Sequence, residues 1–151
     1  MLNFVAFGVP QPKGSAKAFI PKGWKRAIVT SDNTKNKGWQ QLVAEAASRA
    51  MATTYPEFRL IEGPASLTVT FYLPRPKAIK DKTVPHLKKP DLDKCVRSVK
   101  DALSKIAWRD DSLVTDITAR KLYARPGEAP RAEISVAAIE AASLFSQRRA
   151  I

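Results

Sequence analysis

Hydrophobic and polar positions along this chain fall into short, recognisable periods. Leu2 to Val9 alternates loosely and stops at Pro10 and Pro12, which predicts a first strand leaving for a loop. Ala18 to Ile20 and Arg26 to Thr30 flank the run PKGWK, predicting a hairpin whose tip carries Lys22, Trp24 and Lys25. From about Thr34 to Met51, Trp39, Leu42, Val43, Ala46 and Ala50 recur at helical spacing, so an amphipathic helix is expected despite Gly38. In ASLTVTFYL, Leu67, Val69, Phe71 and Leu73 fall on one face and Ser66, Thr68, Thr70 and Tyr72 on the other, the alternation of a half-buried strand. Leu92, Val96, Val99, Leu103 and Ile106 then step by four, three, four and three, predicting a helix that ends near Ile106. Trp108 to Ser112 reads as a polar turn, Leu113 to Tyr123 and Arg131 to Ala138 as strands, and Ile139 to Arg149 as a C-terminal helix with a basic end. This order predicts one small α/β domain, with α+β as the alternative: a mixed sheet packed by two main helices plus the C-terminal one.

Composition narrows the partners. A chain of 151 residues can bury one core and not two, and 44% hydrophobic with 26% charged residues is a globular balance. Lys plus Arg number 26 against 14 Asp plus Glu, a net charge of +12. That surplus favours a polyanion, though a ribosomal-type or membrane-surface protein would be equally basic. Cys95 stands alone and cannot form an internal disulfide, the N-terminus lacks a signal-peptide pattern, and no run approaches the ~18 apolar residues of a membrane span. A soluble cytoplasmic protein is expected. His86 is the single histidine, so a zinc site of His and Cys has too few ligands, and although a Ser-His-Asp relay stays arithmetically open, hydrolytic chemistry must lean on carboxylates.

Those carboxylates follow a cationic stretch. Between Pro74 and Pro90 lie Arg75, Lys77, Lys80, Lys82, Lys88 and Lys89 against Asp81, and four prolines keep the run from becoming a helix, so its charges are expected to be exposed and mobile. Taken alone it reads equally well as a solvated linker. Pro90-Asp91-Leu92-Asp93 then opens the second long helix, with Asp91 at a natural N-cap and Asp93 in the first turn, where capping is the ordinary role of such residues. Two carboxylates so spaced can also converge on a hard cation such as Mg²⁺, and the helix returning across the core lets Asp110 and Asp111 approach another part of the same site. Basic walls around an acidic centre suit a metal-assisted cut in a polyanion. Lys13 and Lys17 in the N-terminal loop, Lys80, Lys82, Lys88 and Lys89 are the candidate phosphate contacts. Trp24 is a candidate base-stacking contact, whereas most other aromatic residues and Cys95 are expected in the core.

The run KPDLDKCVRSVKDALSKIAWRDDSLVTDITARKLYA resembles the central signature of the RusA-type Holliday junction resolvases: a Pro-Asp-x-Asp helix start, an Asp-Ala-Leu, an aromatic residue and an Asp-Asp pair. VPQPKGSAK near the N-terminus is similar to phage-type members. The resemblance implies a Mg²⁺-dependent endodeoxyribonuclease of DNA recombination and repair, acting as a homodimer on four-way junctions. It implies Asp91, Asp93 and Asp111 as metal-binding and catalytic residues, with Asp110 beside them and Asp101 a supporting or helix-surface carboxylate. Where the family usually has Lys one turn after the second Asp, this chain has Arg97, and where Asn commonly follows that Asp it has Lys94. Arg97 keeps the charge without a titratable amine, so charge stabilisation by Arg97 or Lys94 survives and proton donation by Arg97 does not. Two rival classes stand beside this one: a non-catalytic DNA-binding protein, for which the clustered aspartates are coincidence, and a metal nuclease for flaps or RNA, which keeps them.

Overall fold

The computed structural model describes residues 1–14, 16–31 and 33–146. Its elements run β1 (Leu2–Phe7), β2 (Ala16–Phe19), β3 (Ile28–Ser31), α1 (Asn36–Thr53), β4 (Ala65–Leu73), α2 (Leu92–Leu103), a 3-10 turn (Asp111–Leu113), β5 (Val114–Tyr123), β6 (Arg131–Ala138) and α3 (Ala141–Ser146). A mixed sheet of order β1-β6-β4-β5 carries the domain, and β2-β3 form a separate hairpin. β4 pairs with β6 antiparallel and with β5 in parallel, so α2 is the crossover of a β-α-β unit. The architecture is a single small domain of the α+β kind, the alternative that the sequence offered beside α/β.

Alternation decides which sheet face is covered. Leu67, Val69 and Phe71 of β4 register with Val136, Ile134 and Ala132 of β6, and these in turn with Leu2, Phe4 and Ala6 of β1, all buried on one face. Trp39, Val43 and Ala47 of α1 and Cys95, Val96, Val99 and Leu103 of α2 close over that face. The two helices are joined by polar contacts: Ser98 Oγ donates to Asn36 Oδ1, and Gln40 Nε2 donates to the Ser98 carbonyl at 3.2 Å.

Several boundaries differ from the periodic reading, by one or two residues in β2, β3 and β5 and more informatively elsewhere. β1 ends at Phe7 because Gly8 adopts φ +142°, and a Cβ there would stand 3.0 Å from Leu42 Cδ1 where α1 crosses the strand end. α1 runs two residues later than the pattern placed it. α2 stops at Leu103, because Lys105 takes a left-handed φ of 67° and its N–H turns back to the Trp108 carbonyl at 2.7 Å. This reversal drives Ala107 and Trp108 into the core, both fully buried. The last helix is shorter than expected, and the basic residues Arg148 and Arg149 lie outside the described residues. Trp39, Trp108, Phe4 and Phe71 are core as expected, whereas Phe7 and Phe145 are exposed. Among the described residues no helix is long and apolar enough to cross a membrane.

Candidate active site

α2 presents Asp91 and Asp93 together at its N-terminal end. Asp91 occupies the N-cap with extended backbone, φ −69° and ψ 138°, yet its side chain makes no capping hydrogen bond. The ordinary use of an N-cap aspartate is therefore not made here, and its oxygens stay available to a ligand. Asp93, in the first turn, is exposed. Lys94 Nζ stands 3.9 Å from Asp91 Oδ2, a loose pair across one turn. Arg97, four residues after Asp93, falls on the same helix face and is exposed.

A cleft of about 430 Å³ opens beside Asp91, lined among others by Lys13, Asn33, Lys89 and Lys94. Its far wall is the N-terminal loop, fixed onto α2 by two bonds from one residue: the Lys13 N–H donates to the Lys94 carbonyl at 3.0 Å, and Lys13 Nζ pairs with Asp101 Oδ2. Asp101 is thus the carboxylate that docks this loop. Asn33 Nδ2 donates to the Pro12 carbonyl at 2.8 Å and ties the segment after β3 to the same wall. Lys17 belongs to β2, but its side chain lies outside the described residues.

The cationic stretch from Pro74 to Pro90 contains no helix or strand, as the prolines dictate, but it is anchored rather than loose. Arg75, expected among the exposed cations, turns inward: its Nε donates to the Ala124 carbonyl at 2.8 Å and its Nη1 to the Asp81 carbonyl at 2.8 Å, with the guanidinium 5.6 Å from the Tyr123 ring centre. His86 is buried against Tyr123, ring centres 4.5 Å apart. Burial, reinforced by the Lys121 and Lys88 charges, holds its imidazole below the usual histidine pKa. Lys121 of β5 donates to the carbonyls of Lys88 at 2.7 Å and Pro90 at 3.0 Å. Lys80, Lys82, Lys88 and Lys89 remain exposed on this anchored frame. Trp24, 60% exposed, stands in the β2-β3 turn, where the sequence placed it.

The Asp-Asp pair divides its labour. Asp110 Oδ1 accepts the Ser112 N–H at 2.9 Å and caps the 3-10 turn, and this backbone bond holds its carboxyl below the usual range. Asp111 Oδ1 accepts from Trp108 Nε1 at 2.9 Å, so a fully buried indole aims a half-buried carboxylate. Asp111, however, is not beside Asp91 and Asp93. The twelve residues of α2 separate them, a rise of roughly 18 Å at 1.5 Å per residue. Among the described residues no group of three or more His, Cys, Asp or Glu stands close enough to hold a metal. The helix that was expected to bring the acidic groups together holds them apart within one chain.

The Trp108 bond can be tested alone. Trp108→Phe keeps most of the ring in the core and loses the N–H. It should cost about 1–3 kcal/mol in thermal unfolding from a small cavity and one hydrogen bond. Any cleavage that depends on Asp111 should fall by roughly 10–100-fold, the range for losing an orienting partner. A variant that melts lower but cleaves normally would show that the indole only fills space.

Cys95 is fully buried beneath the acidic pair, and burial pushes its thiol up to about 12, with Asp91 and Asp93 adding to the rise and Lys121 opposing it. It is the small apolar residue the pattern expected, and no nucleophile. Lys121 was missed. Its signal was legible, because in TDITARKLY it alternates with Ala119 and Tyr123 on the partly covered face of β5, where a lysine has no packing reason to stand.

Two comparisons bear on this arrangement. The profile of a family described as Endodeoxyribonuclease RusA matches residues 8–137, from the end of β1 to the end of β6, and includes every carboxylate above. An uncharacterized protein of Bacillus subtilis (strain 168), YqaN, is 33% identical over 150 residues, covering 93% of this chain and 98% of YqaN. The uncapped Asp-x-Asp helix start, the indole-oriented Asp-Asp turn and the basic cleft all lie within the matched span, which covers most of the chain, and the chain belongs to the RusA endodeoxyribonucleases.

Proposed function

We propose that this protein is a magnesium-dependent endodeoxyribonuclease that resolves four-way DNA junctions in recombination and repair, acting as a homodimer. The observation that carries the reading is the pair Asp91 and Asp93, both exposed at the start of α2, with Asp91 uncapped and lining a cleft walled by Lys13, Lys89 and Lys94. Hard oxygen donors without His or Cys suit Mg²⁺, which usually takes one or two protein carboxylates and keeps waters and substrate oxygens for the rest. Asp91 and Asp93 would hold the ion, and when bound it supplies Lewis acidity toward the scissile phosphate and a water acidified for attack.

The remaining steps fall to the chain's own side chains. Lys89 and Lys94 hold backbone phosphate at the cleft, while the exposed lysines of the preceding loop track it outward. Arg97 offers a permanent positive charge to the negative charge that grows on phosphate in the transition state. Asp111 joins this group only from a second copy. Among the described residues β5 is a terminal strand of the sheet and pairs only with β4, leaving its other edge, ten residues long, without a strand partner. Two such edges paired antiparallel about a two-fold axis exchange ends, carrying each Asp111 toward the partner's α2 start. Two sites so related suit two strands of like polarity in a junction.

The deciding experiment is cleavage of a synthetic four-way junction beside duplex and flap controls with identical arms, with Mg²⁺ and with a chelator. Paired cuts in the junction that require Mg²⁺ are expected. Uncut junction across a range of divalent ions would leave a passive DNA-binding protein, and preferred flap cutting would leave a different nuclease.

A further inference from the structure

We propose that Lys121 is a positioning residue of the acidic site, holding the backbone that aims Asp91 and Asp93; this rests on the reading of that pair as the metal-binding end of the site. The ammonium group has three donors, and two are committed to carbonyls two residues apart, Lys88 at 2.7 Å and Pro90 at 3.0 Å. The Pro90 carbonyl belongs to the same peptide unit as the Asp91 N–H. Pro90 has no N–H of its own to tether this segment, and the N-cap side chain is not used to brace the helix start. Lys121 therefore supplies a fixing contact that the local sequence does not.

Its place in the sheet makes the contact rigid. Lys121 registers with the fully buried Phe71 on β4, so its stem rises from the packed face of the sheet rather than from a loop. On the loop side His86 is buried on Tyr123, two residues along from Lys121, so the chain entering the site is pinned at 86, 88 and 90 in succession. A charged donor also bonds these carbonyls more strongly than a neutral one would. Other cations near the pair, Lys94 and Lys89, stand on the cleft side and are partly or fully exposed, so they are placed to meet phosphate.

The test uses the full chain with Lys121→Met, which keeps the apolar stem and removes all donors, and Lys121→Gln, which keeps one neutral donor group. Mn²⁺ serves as the probe ion, titrated by electron paramagnetic resonance, with Asp93→Asn as the control for a damaged site. We expect Mn²⁺ affinity to fall roughly 10–100-fold in the Met variant and by less in the Gln variant. The Mg²⁺ concentration for half-maximal junction cleavage should rise by the same factor, and saturating Mg²⁺ should restore most of the rate. A purely structural lysine would lower the melting temperature without shifting that dependence. If the Met variant does not fold, the Gln variant decides alone. Wild-type Mn²⁺ affinity in any folded variant overturns the proposal. Absence of Mn²⁺ binding by the wild type, with and without junction DNA, overturns the metal reading beneath it instead.

Discussion

Asp93→Asn should lower junction cleavage by at least about 10²-fold, the scale of losing one group that stabilises transition-state charge, while junction binding is kept or improved. Asp93 is exposed and forms no ion pair in the described structure, so its amide costs the fold little and removes one negative charge from beside phosphate. Asp111→Asn should be equally inactive, since its carboxylate is held by Trp108. The two inactive variants differ in what they can repair together. If a site takes Asp91 and Asp93 from one chain and Asp111 from the other, a mixed dimer contains one intact site and one doubly damaged site. Mixing the variants should then recover nicking of one strand without paired cutting. Near-normal turnover by Asp93→Asn would sink the metal-site assignment. A mixture that stays inactive despite exchanged subunits would sink the shared site and leave Asp111 with another role.

Replacing Lys80, Lys82, Lys88 and Lys89 together with alanine should weaken binding most at low salt and flatten its salt dependence. All four side chains are exposed on a frame held by Arg75, His86 and Lys121, so their loss leaves the anchoring contacts in place. The Lys88 carbonyl, which Lys121 grips, survives the substitution. Each phosphate no longer neutralised removes roughly 0.9 from the log-log slope on duplex DNA, so the slope should fall by up to about 3.6. Binding titrations between low and physiological salt give this slope directly. A slope equal to the wild type's would make the stretch a spacer with no contact to phosphate.

The parts of the fold that were legible in the sequence are those set by local periodicity. The alternation of ASLTVTFYL placed β4 and its buried face, and the four-three stepping from Leu92 placed α2 and the burial of Val96, Val99 and Leu103. Helix ends were less legible, because Ile106 keeps the apolar period while Lys105 breaks the helix with a positive φ. The acidic residues could be named from their types and spacing, but their grouping could not. Sequence distance along a helix says that a chain returns across the core, not that its two ends stay an α2 length apart, and the separation of Asp111 from Asp91 follows only from the parallel β4-β5 crossover. Anchoring was hidden for a related reason. Arg75 and Lys121 look like any solvated cation until the backbone carbonyls they reach are folded beside them.

Selectivity tests the central claim most directly. A net charge of +12 attracts any duplex of equal length, and that attraction fades as salt rises. A symmetric dimer engaging several arms at once gains effective concentration from the second contact and should keep its preference. The measurement is competition between a four-way junction and a matched linear duplex at low and at physiological salt, with the oligomeric state determined in the same buffers. A dimer whose junction preference persists or grows as salt rises is the predicted result. A monomer whose preference vanishes at physiological salt would contradict it.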